Sequence, residues 1–426
     1  MDAHLPIEMR ERPLGALFLD LNSYFASVEQ QEDPNLQGKP VAVAPLYADT
    51  TMVIAASYEA KAFGVKCGTM VRDARRMCPD ITIVSGRPPL YVSYHKRVLE
   101  VLEDVLHIEE VHSIDEMRFK LMGDERVPEN ARRIALKMKK AIADHVGPCL
   151  TSSIGIAPNP FLAKVATEIE KPNGLVTLTA KDLPHALYGL KLTDFAGLNY
   201  RMKARLNGCG IFTSKDLCGA QRHELHRAFG SIIGERWWYL LRGFDLPYAA
   251  TRRKSLGHSH ILPPELRTED GCRDVLLRLL QKASARLRSE GLRTSSMTVF
   301  VSGFKRSWEC RIKLPPTQDT ITLTEWFYKE WPNHDYEQPR GVGVTFHDLR
   351  LQDEFTPSLF DNLADRTLLN RAVDKVNQKF GKNSIYLASL DKVKDRAGEK
   401  IAFNKTWLFQ EGKDDNVWPT PTRWMP

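Results

Sequence analysis

Two carboxylates stand side by side in VHSIDEMRF (residues 111–119): Asp115 and Glu116. Successive side chains on a strand point to opposite faces, so adjacent acids usually mark a solvated loop. Yet the surrounding LEDVLHIEEVHSIDEMRFKLMG reads largely as buried strand. Asp20 poses the same problem at the end of the apolar run LGALFLDL, residues 14–21. A carboxylate buried alone costs several kcal/mol unless a cation or a shifted pKa offsets it. Three acids on two strand ends of one sheet solve this together by sharing divalent metals, and hard oxygen donors favour Mg2+ or Mn2+ over Zn2+. Two such ions activate a hydroxyl and stabilise a leaving pyrophosphate in an in-line phosphoryl displacement. The adjacency works if Asp115 and Glu116 occupy a strand end or turn from which both reach inward. Each acid also has a plainer reading: Asp20 as a cap, Asp115 with Glu116 as a hairpin turn.

The elements that must position these acids follow from periodicity. LGALFLDL, KPVAVAP and TMVIAASY read as short strands, and EAKAFG and TMVRDARRMCP as helical. Helical spacing runs through residues 90–108 and again through ENARRIALKMKKAIADHV; LTSSIGIAPNP reads as strand and turn, FLAKVATEIEKPNG as a helix closed by Pro-Asn-Gly. This half is α+β, with a smaller unit inserted at about residues 24–86. Residues 176–246 are mostly helical, and Gly197, Gly208 and Gly210 punctuate two short helices. That pattern resembles a helix-hairpin-helix, whose turn amides hold a nucleic-acid phosphate, although Asn199 stands where a second glycine is usual. An ordinary helical hairpin is the alternative.

DLPYAATRRKS, with Arg252, Arg253 and Lys254, reads as a basic linker. Beyond it strands and helices alternate as βαββαβ, the ferredoxin-like arrangement. Residues 250–350 hold 17 Lys and Arg against 12 Asp and Glu, most of the chain's net charge of +7. A basic domain suits a polyanionic partner; a solvated lysine-rich face gives a similar bias. At 426 residues several domains are expected. No apolar run approaches membrane-helix length, and the N-terminus lacks the apolar core of a secretory signal. Seven scattered cysteines without a C-x-x-C pair support neither a zinc site nor a disulfide framework, so a cytoplasmic protein is expected.

LFLDLNSYFASVEQ, ASYEAKAFGVKCG, HSIDE and SSIGIAPNPFLAKVATEIEKPNG occur in this order and together resemble the motif set of the Y-family, or translesion, DNA polymerases. The similarity runs from about Leu14 to Leu351, with features of both polymerase IV and the catalytic subunit of bacterial polymerase V. It implies a multidomain right-hand α+β fold: a ferredoxin-like palm (14–23 and 87–175), small fingers (24–86), a helix-hairpin-helix thumb (176–246), a linker (247–254), a βαββαβ little finger (255–352) and a tail (353–426). It also implies error-prone, template-directed synthesis past DNA damage in an SOS-type response, with primer-template DNA, deoxynucleoside triphosphates and two Mg2+ ions, which Mn2+ can replace.

By position, Asp20 and Asp115 match the metal-binding aspartates, Leu21 the carbonyl donor to metal, and Glu116 the acid nearest the primer terminus. Phe25 matches the steric gate that rejects a 2′-hydroxyl; Ser23, Tyr24 and Tyr58 fall in the nucleotide pocket, and Lys61 and Lys164 on the triphosphate. Lys61 stands where arginine is usual, so it acts as a point charge without a bidentate fork. Asn22, counted with the nucleotide contacts, replaces the second aspartate of the usual D-x-D; Met117, Arg118 and Pro160 are further departures. TPSLFD, with Leu359 and Phe360, resembles a sliding-clamp peptide whose glutamine is replaced by Thr356, and a loop packing on its own domain is the alternative. The tail suggests contact with accessory repair proteins. A non-catalytic repair scaffold and a nucleotidyl cyclase are the competing functions; the intact acids disfavour the first, and the helix-hairpin-helix and basic domain the second.

Overall fold

The computed structural model describes residues 12–247, 254–354, 363–381, 384–386, 388 and 391. These fall into two compact units, one before residue 250 and one after it. Arg252, Arg253, Thr356, Leu359 and Phe360 lie outside the described residues.

In the first unit, β1 (Ala16–Leu21) leads into α1 (Tyr24–Glu32), then β2 (Val41–Ala44), β3 (Ala55–Ala56), α2 (Tyr58–Ala62), α3 (Val71–Met77) and β4 (Thr82–Ser85). The chain continues through α4 (Pro88–Glu103), β5 (Ile108–Val111), β6 (Glu116–Lys120), α5 (Pro128–His145), β7 (Ser152–Ala157), α6 (Pro160–Ile169) and β8 (Leu175–Thr177). Four helices follow: α7 (Tyr200–Gly208), α8 (Ser214–Gly219), α9 (Arg222–Phe229) and α10 (Ile232–Leu240). β5, β6, β1, β7 and β8 form one sheet in that order, and β3, β2 and β4 a second. Leaving out β8, the large sheet has the ferredoxin-like βαββαβ order, with its first and third strands, β1 and β6, at the centre.

β1 is buried along its whole length because both its faces are covered. Leu17, Leu19 and Leu21 pack with Tyr91 and Leu102 of α4 and Ala135 and Met138 of α5. Ala16 and Phe18 pack on the opposite side with Phe161 and Val165 of α6 and with α7 to α10. α6 lies close on the sheet because Gly155 has no side chain: a Cβ there would stand 2.0 Å from the Ala163 carbonyl oxygen. Asn159 caps α6 by accepting from the Leu162 amide, and Pro160 occupies the first turn, where its missing N–H has no partner to lose. The departure at Pro160 is thus a helix-start residue.

TMVIAASY is corrected from a strand to the two-residue β3. The backbone of Val53 pairs with Gly68 and Thr69, whereas Ile54 donates to Val43, so no single neighbour takes the whole segment. The expected first helix of the helix-hairpin-helix is one short 3-10 turn, Leu192–Asp194. Gly197, at φ +96°, makes the turn that follows, and Asn199 caps α7 by accepting from the Met202 amide. Gly208 ends α7 and Gly210 reverses the chain at φ +82°.

The second unit contains β9 (Ser255–Ile261), α11 (Glu269–Ser289), β10 (Leu292–Arg306), β11 (Trp308–Thr317), α12 (Thr320–Glu330), β12 (Glu337–His347), β13 (Arg350–Leu351) and α13 (Leu363–Phe380). The βαββαβ element order matches the expectation. Its strand order β11-β10-β12-β9, however, puts the second and fourth strands at the centre, unlike a ferredoxin-like sheet. Met297, Val299 and Val301 of β10 and Val342, Val344 and Phe346 of β12 pack with Val275, Leu276 and Leu280 of α11. α13 is tied on by Arg288, whose guanidinium donates to both oxygens of Asp374 (2.6 and 2.8 Å), and by Asn370 on Asp319 (2.6 Å). Lys254, just before β9, is exposed.

Candidate active site

Antiparallel pairing sets the acids. Asp20 lies directly opposite Glu116 on β6 and Ser153 on β7, so Asp20 and Glu116 share one face of the sheet. Asp115 is on no strand. It closes the turn from β5 to β6, where the His112 and Ser113 amides both donate to the Glu116 carbonyl. The Leu21 amide donates to the Asp115 carbonyl at 2.8 Å, locking this turn beside the end of β1. The adjacency of the two acids is thereby explained: Glu116 follows the pleat and Asp115 does not.

Asp20 is buried, at 7% exposure. Burial alone would raise its pKa, but the ammonium groups of Lys164 and Lys171 hold it below the ordinary carboxylate value. For Asp115 the balance goes the other way: burial, then the charges of Glu116 and Asp20, push it up to about 6, despite the Ser113 hydroxyl that donates to it and the charge of Lys164. Lys164, on α6, contacts Asp20 and lies 2.9 Å from Glu116 and 3.4 Å from Glu168. Burial would depress its pKa, but these acids override that and hold it protonated. Lys171 adds contacts of 3.0 Å to Asp20 and 2.8 Å to Glu168.

After Leu21 the chain reverses at Ser23, which is left-handed (φ 49°) and begins α1. The Ser23 hydroxyl accepts from the Lys61 ammonium at 2.7 Å, and that ammonium sits 4.1 Å from the centre of the Tyr58 ring. Burial, with Asp20 and Glu168 adding to it, raises the Tyr58 pKa to about 12, and burial followed by Lys171 lowers that of Lys61. Ser23, Tyr58, Lys61 and Lys164 are thus gathered around Asp20. The pairing of Phe25 is different: its ring is buried and stacks on Tyr91 at 4.4 Å and 24°.

Two of the residues expected at the nucleotide have side chains committed inside the protein. Asn22 is turned into the protein: its amide donates to Ser153 Oγ at 2.9 Å and accepts from the Asn173 amide at 2.7 Å and from Thr151 Oγ1 at 3.2 Å. An aspartate could not make the first of these as a donor. Tyr24 is likewise buried, with its hydroxyl donating to the Tyr91 carbonyl at 2.6 Å, so it supports the site from beneath.

Lys171, Glu168 and His95 were not read from the sequence as site residues. Glu168 carried a signal, since it lies one helical turn after Lys164. Lys171 carried none beyond its place before Pro-Asn-Gly. His95 of α4 donates Nδ1–H to the Ile114 carbonyl at 2.8 Å and so holds the turn bearing Asp115.

A divalent cation fits this donor set. Among the described residues no three His, Cys, Asp or Glu side chains form a ready cage. The carboxylates nonetheless converge with a net repulsion that raises Asp115, and the Lys164 ammonium stands in as the cation between Asp20 and Glu116.

The impB/mucB/samB family matches residues 19–168, and the C-terminal domain of the same family matches residues 253–359. DNA polymerase IV of Moorella thermoacetica is 32% identical over 384 residues, covering 87% of this chain and 95% of that protein. DNA polymerase IV 1 of Bacillus subtilis is 29% identical over 413 residues, covering 93% and 97%. Among solved structures, a Y-family DNA polymerase chimera of Dbh and Dpo4 superposes with a TM-score of 0.65 at 25% identity, covering 79% of this chain and 99% of the other.

Proposed function

Because the chain belongs to the impB/mucB/samB family of Y-family translesion DNA polymerases, and is a DNA-directed DNA polymerase with their right-hand fold, we propose that it extends primers past damaged template bases by two-metal nucleotidyl transfer at Asp20, Asp115 and Glu116. The observation that carries this is the register of Asp20 against Glu116 with Asp115 locked in the adjoining turn.

In this reading residues 14–23 and 87–175 are the palm, 24–86 the fingers, 176–246 the thumb, 247–254 the linker and 255–352 the little finger; 353–426 form the tail. Asp20, Asp115, Glu116 and the Leu21 carbonyl hold the divalent ions, with Mg2+ suited to all-oxygen donors and Mn2+ able to replace it. Divalent ions held there would supply the positive charge that activates a primer hydroxyl and offsets charge on a leaving pyrophosphate. Lys61, Lys164 and Lys171 supply point charges for the triphosphate, and the hydroxyls of Ser23 and Tyr58 orient it. Lys164 then exchanges its carboxylate partners for phosphate oxygens. Phe25 closes the sugar side of the pocket. Gly197, Gly208, Gly210 and the basic stretch Arg252, Arg253 and Lys254 meet the phosphates of primer-template DNA, and Leu359 with Phe360 seats on a sliding clamp in the cytoplasm, where accessory repair proteins meet the tail.

Primer extension with Mg2+, with Mn2+ and with EDTA tests the proposal, using wild type, Asp20→Ala, Asp115→Ala and Glu116→Ala. Removing one acid costs several kcal/mol of charge stabilisation and should abolish extension. Near-normal extension by Asp115→Ala overturns the assignment.

A further inference from the structure

The ring of Phe25 is backed by a chain of polar contacts, buried at Tyr91 and Glu29 and half-exposed at Arg87, that packing alone does not require. Tyr91 of α4 lies nearly parallel to it, centroid to centroid 4.4 Å, and is 1% exposed. The Tyr91 hydroxyl donates to Glu29 Oε1 at 2.7 Å. Glu29 is itself 1% exposed, and Arg87 donates to it from Nε at 3.1 Å and again from Nη2. Phe25 and Glu29 are one turn apart on α1, so ring and carboxylate face α4 together. The Tyr24 hydroxyl, on the Tyr91 carbonyl, fastens the same residue from its backbone.

A phenylalanine or leucine at position 91 would fill the core without a buried hydroxyl and carboxylate, groups costly to bury unless paired. Their presence fixes the rotation and height of the Tyr91 ring, and through the stack those of Phe25. A gate that discriminates by collision works only while its ring cannot retreat, because no hydrogen bond to the sugar is involved.

We propose that Tyr91, anchored by Glu29 and Arg87, is a specificity-determining positioning residue that holds Phe25 against the sugar and so sets ribonucleotide exclusion. This rests on the reading of Phe25 as the steric gate.

The test is single-nucleotide insertion of dCTP and CTP by the full-length protein on a primer-template with Mg2+. The readout is the ratio of kcat/KM for the two substrates, in which any fraction of misfolded enzyme cancels. Tyr91→Leu removes the stack and should lower the dCTP/CTP ratio about two- to tenfold, the range a stacked ring pair supports. Tyr91→Phe keeps ring and volume but loses the Glu29 anchor, and its ratio should fall between wild type and Tyr91→Leu. If Tyr91→Leu does not fold, a lowered ratio in Tyr91→Phe supports the proposal and a wild-type ratio overturns it. Wild-type ratios in both Tyr91 variants, with a collapsed ratio in Phe25→Ala, overturn the role of Tyr91 and leave the gate standing. A wild-type ratio in Phe25→Ala removes the gate itself, and the proposal with it.

Discussion

Lys164→Met should destabilise the metal-free protein far more than the metal-loaded one. The Lys164 and Asp20 side chains are only 13% and 10% exposed, and the ammonium also faces Glu116 at 2.9 Å and Glu168 at 3.4 Å. Removing one partner of a buried ion pair costs about 3–5 kcal/mol, because the other charge stays buried. Lys171 moderates this, keeping contacts of 3.0 Å to Asp20 and 2.8 Å to Glu168. The loss should therefore be about 2–3 kcal/mol, below the usual range for an unrelieved pair. In a unit of this size that lowers Tm by about 5–10 °C. A divalent ion among the same acids restores the missing positive charge, so with Mg2+ or Mn2+ the deficit should fall to less than half. Calorimetry of wild type and Lys164→Met, in EDTA and in saturating Mg2+, measures both quantities. An equal deficit in the two conditions, or none in EDTA, refutes the idea that the lysine occupies the place of a cation.

His95 is neutral and buried, its pKa pushed down to about 4, mainly by burial. The unfolded chain binds that proton near pH 6.5, so stability should fall as pH drops from 6.5 through 4, by at most about 3 kcal/mol. His95→Leu should lack this component; urea midpoints at pH 7.5, 5.5 and 4.5 that fall equally in both proteins contradict it. Gly155→Ala forces a Cβ to 2.0 Å from the Ala163 carbonyl oxygen. It should cost about 1–3 kcal/mol or more and displace α6 with Lys164; an unchanged Tm and normal extension would sink that. Reversing the charges of Arg252, Arg253 and Lys254 should weaken binding to all DNA sequences alike and flatten the plot of log affinity against log salt by about 2–3. A slope that does not change removes these residues from the DNA contact.

Local pattern carried the elements, and pairing carried the site. The continuous apolar run around Asp20 announced a buried strand, and helical spacing located α4 and α5. Adjacent acids in an apolar stretch announced Asp115 and Glu116. What periodicity does not encode is which strands become neighbours: the register of Asp20 with Glu116 is a tertiary fact, as is the central placement of β10 and β12. TMVIAASY has strand composition, yet its amides are divided between two partners. Asn22 and Tyr24 stand where family position implies nucleotide contacts; that their side-chain polar groups turn inward is set by burial, which position does not encode. Lys171 reaches the acids from a turn that Asn22 and Lys139 hold through Asn173, contacts that no local pattern announces.

The insertion of a whole subdomain between β1 and α4 bears on when the enzyme becomes active. Asp20 and Glu116 face one another although about a hundred residues of chain separate them, and such distant pairs form late because loop closure must come first. A chain nicked in the inserted segment and partly opened still carries Asp20, Asp115, Glu116 and the lysines, yet no longer holds them together. For a DNA polymerase, topology itself thus keeps fragments and half-folded chains from bringing these acids together.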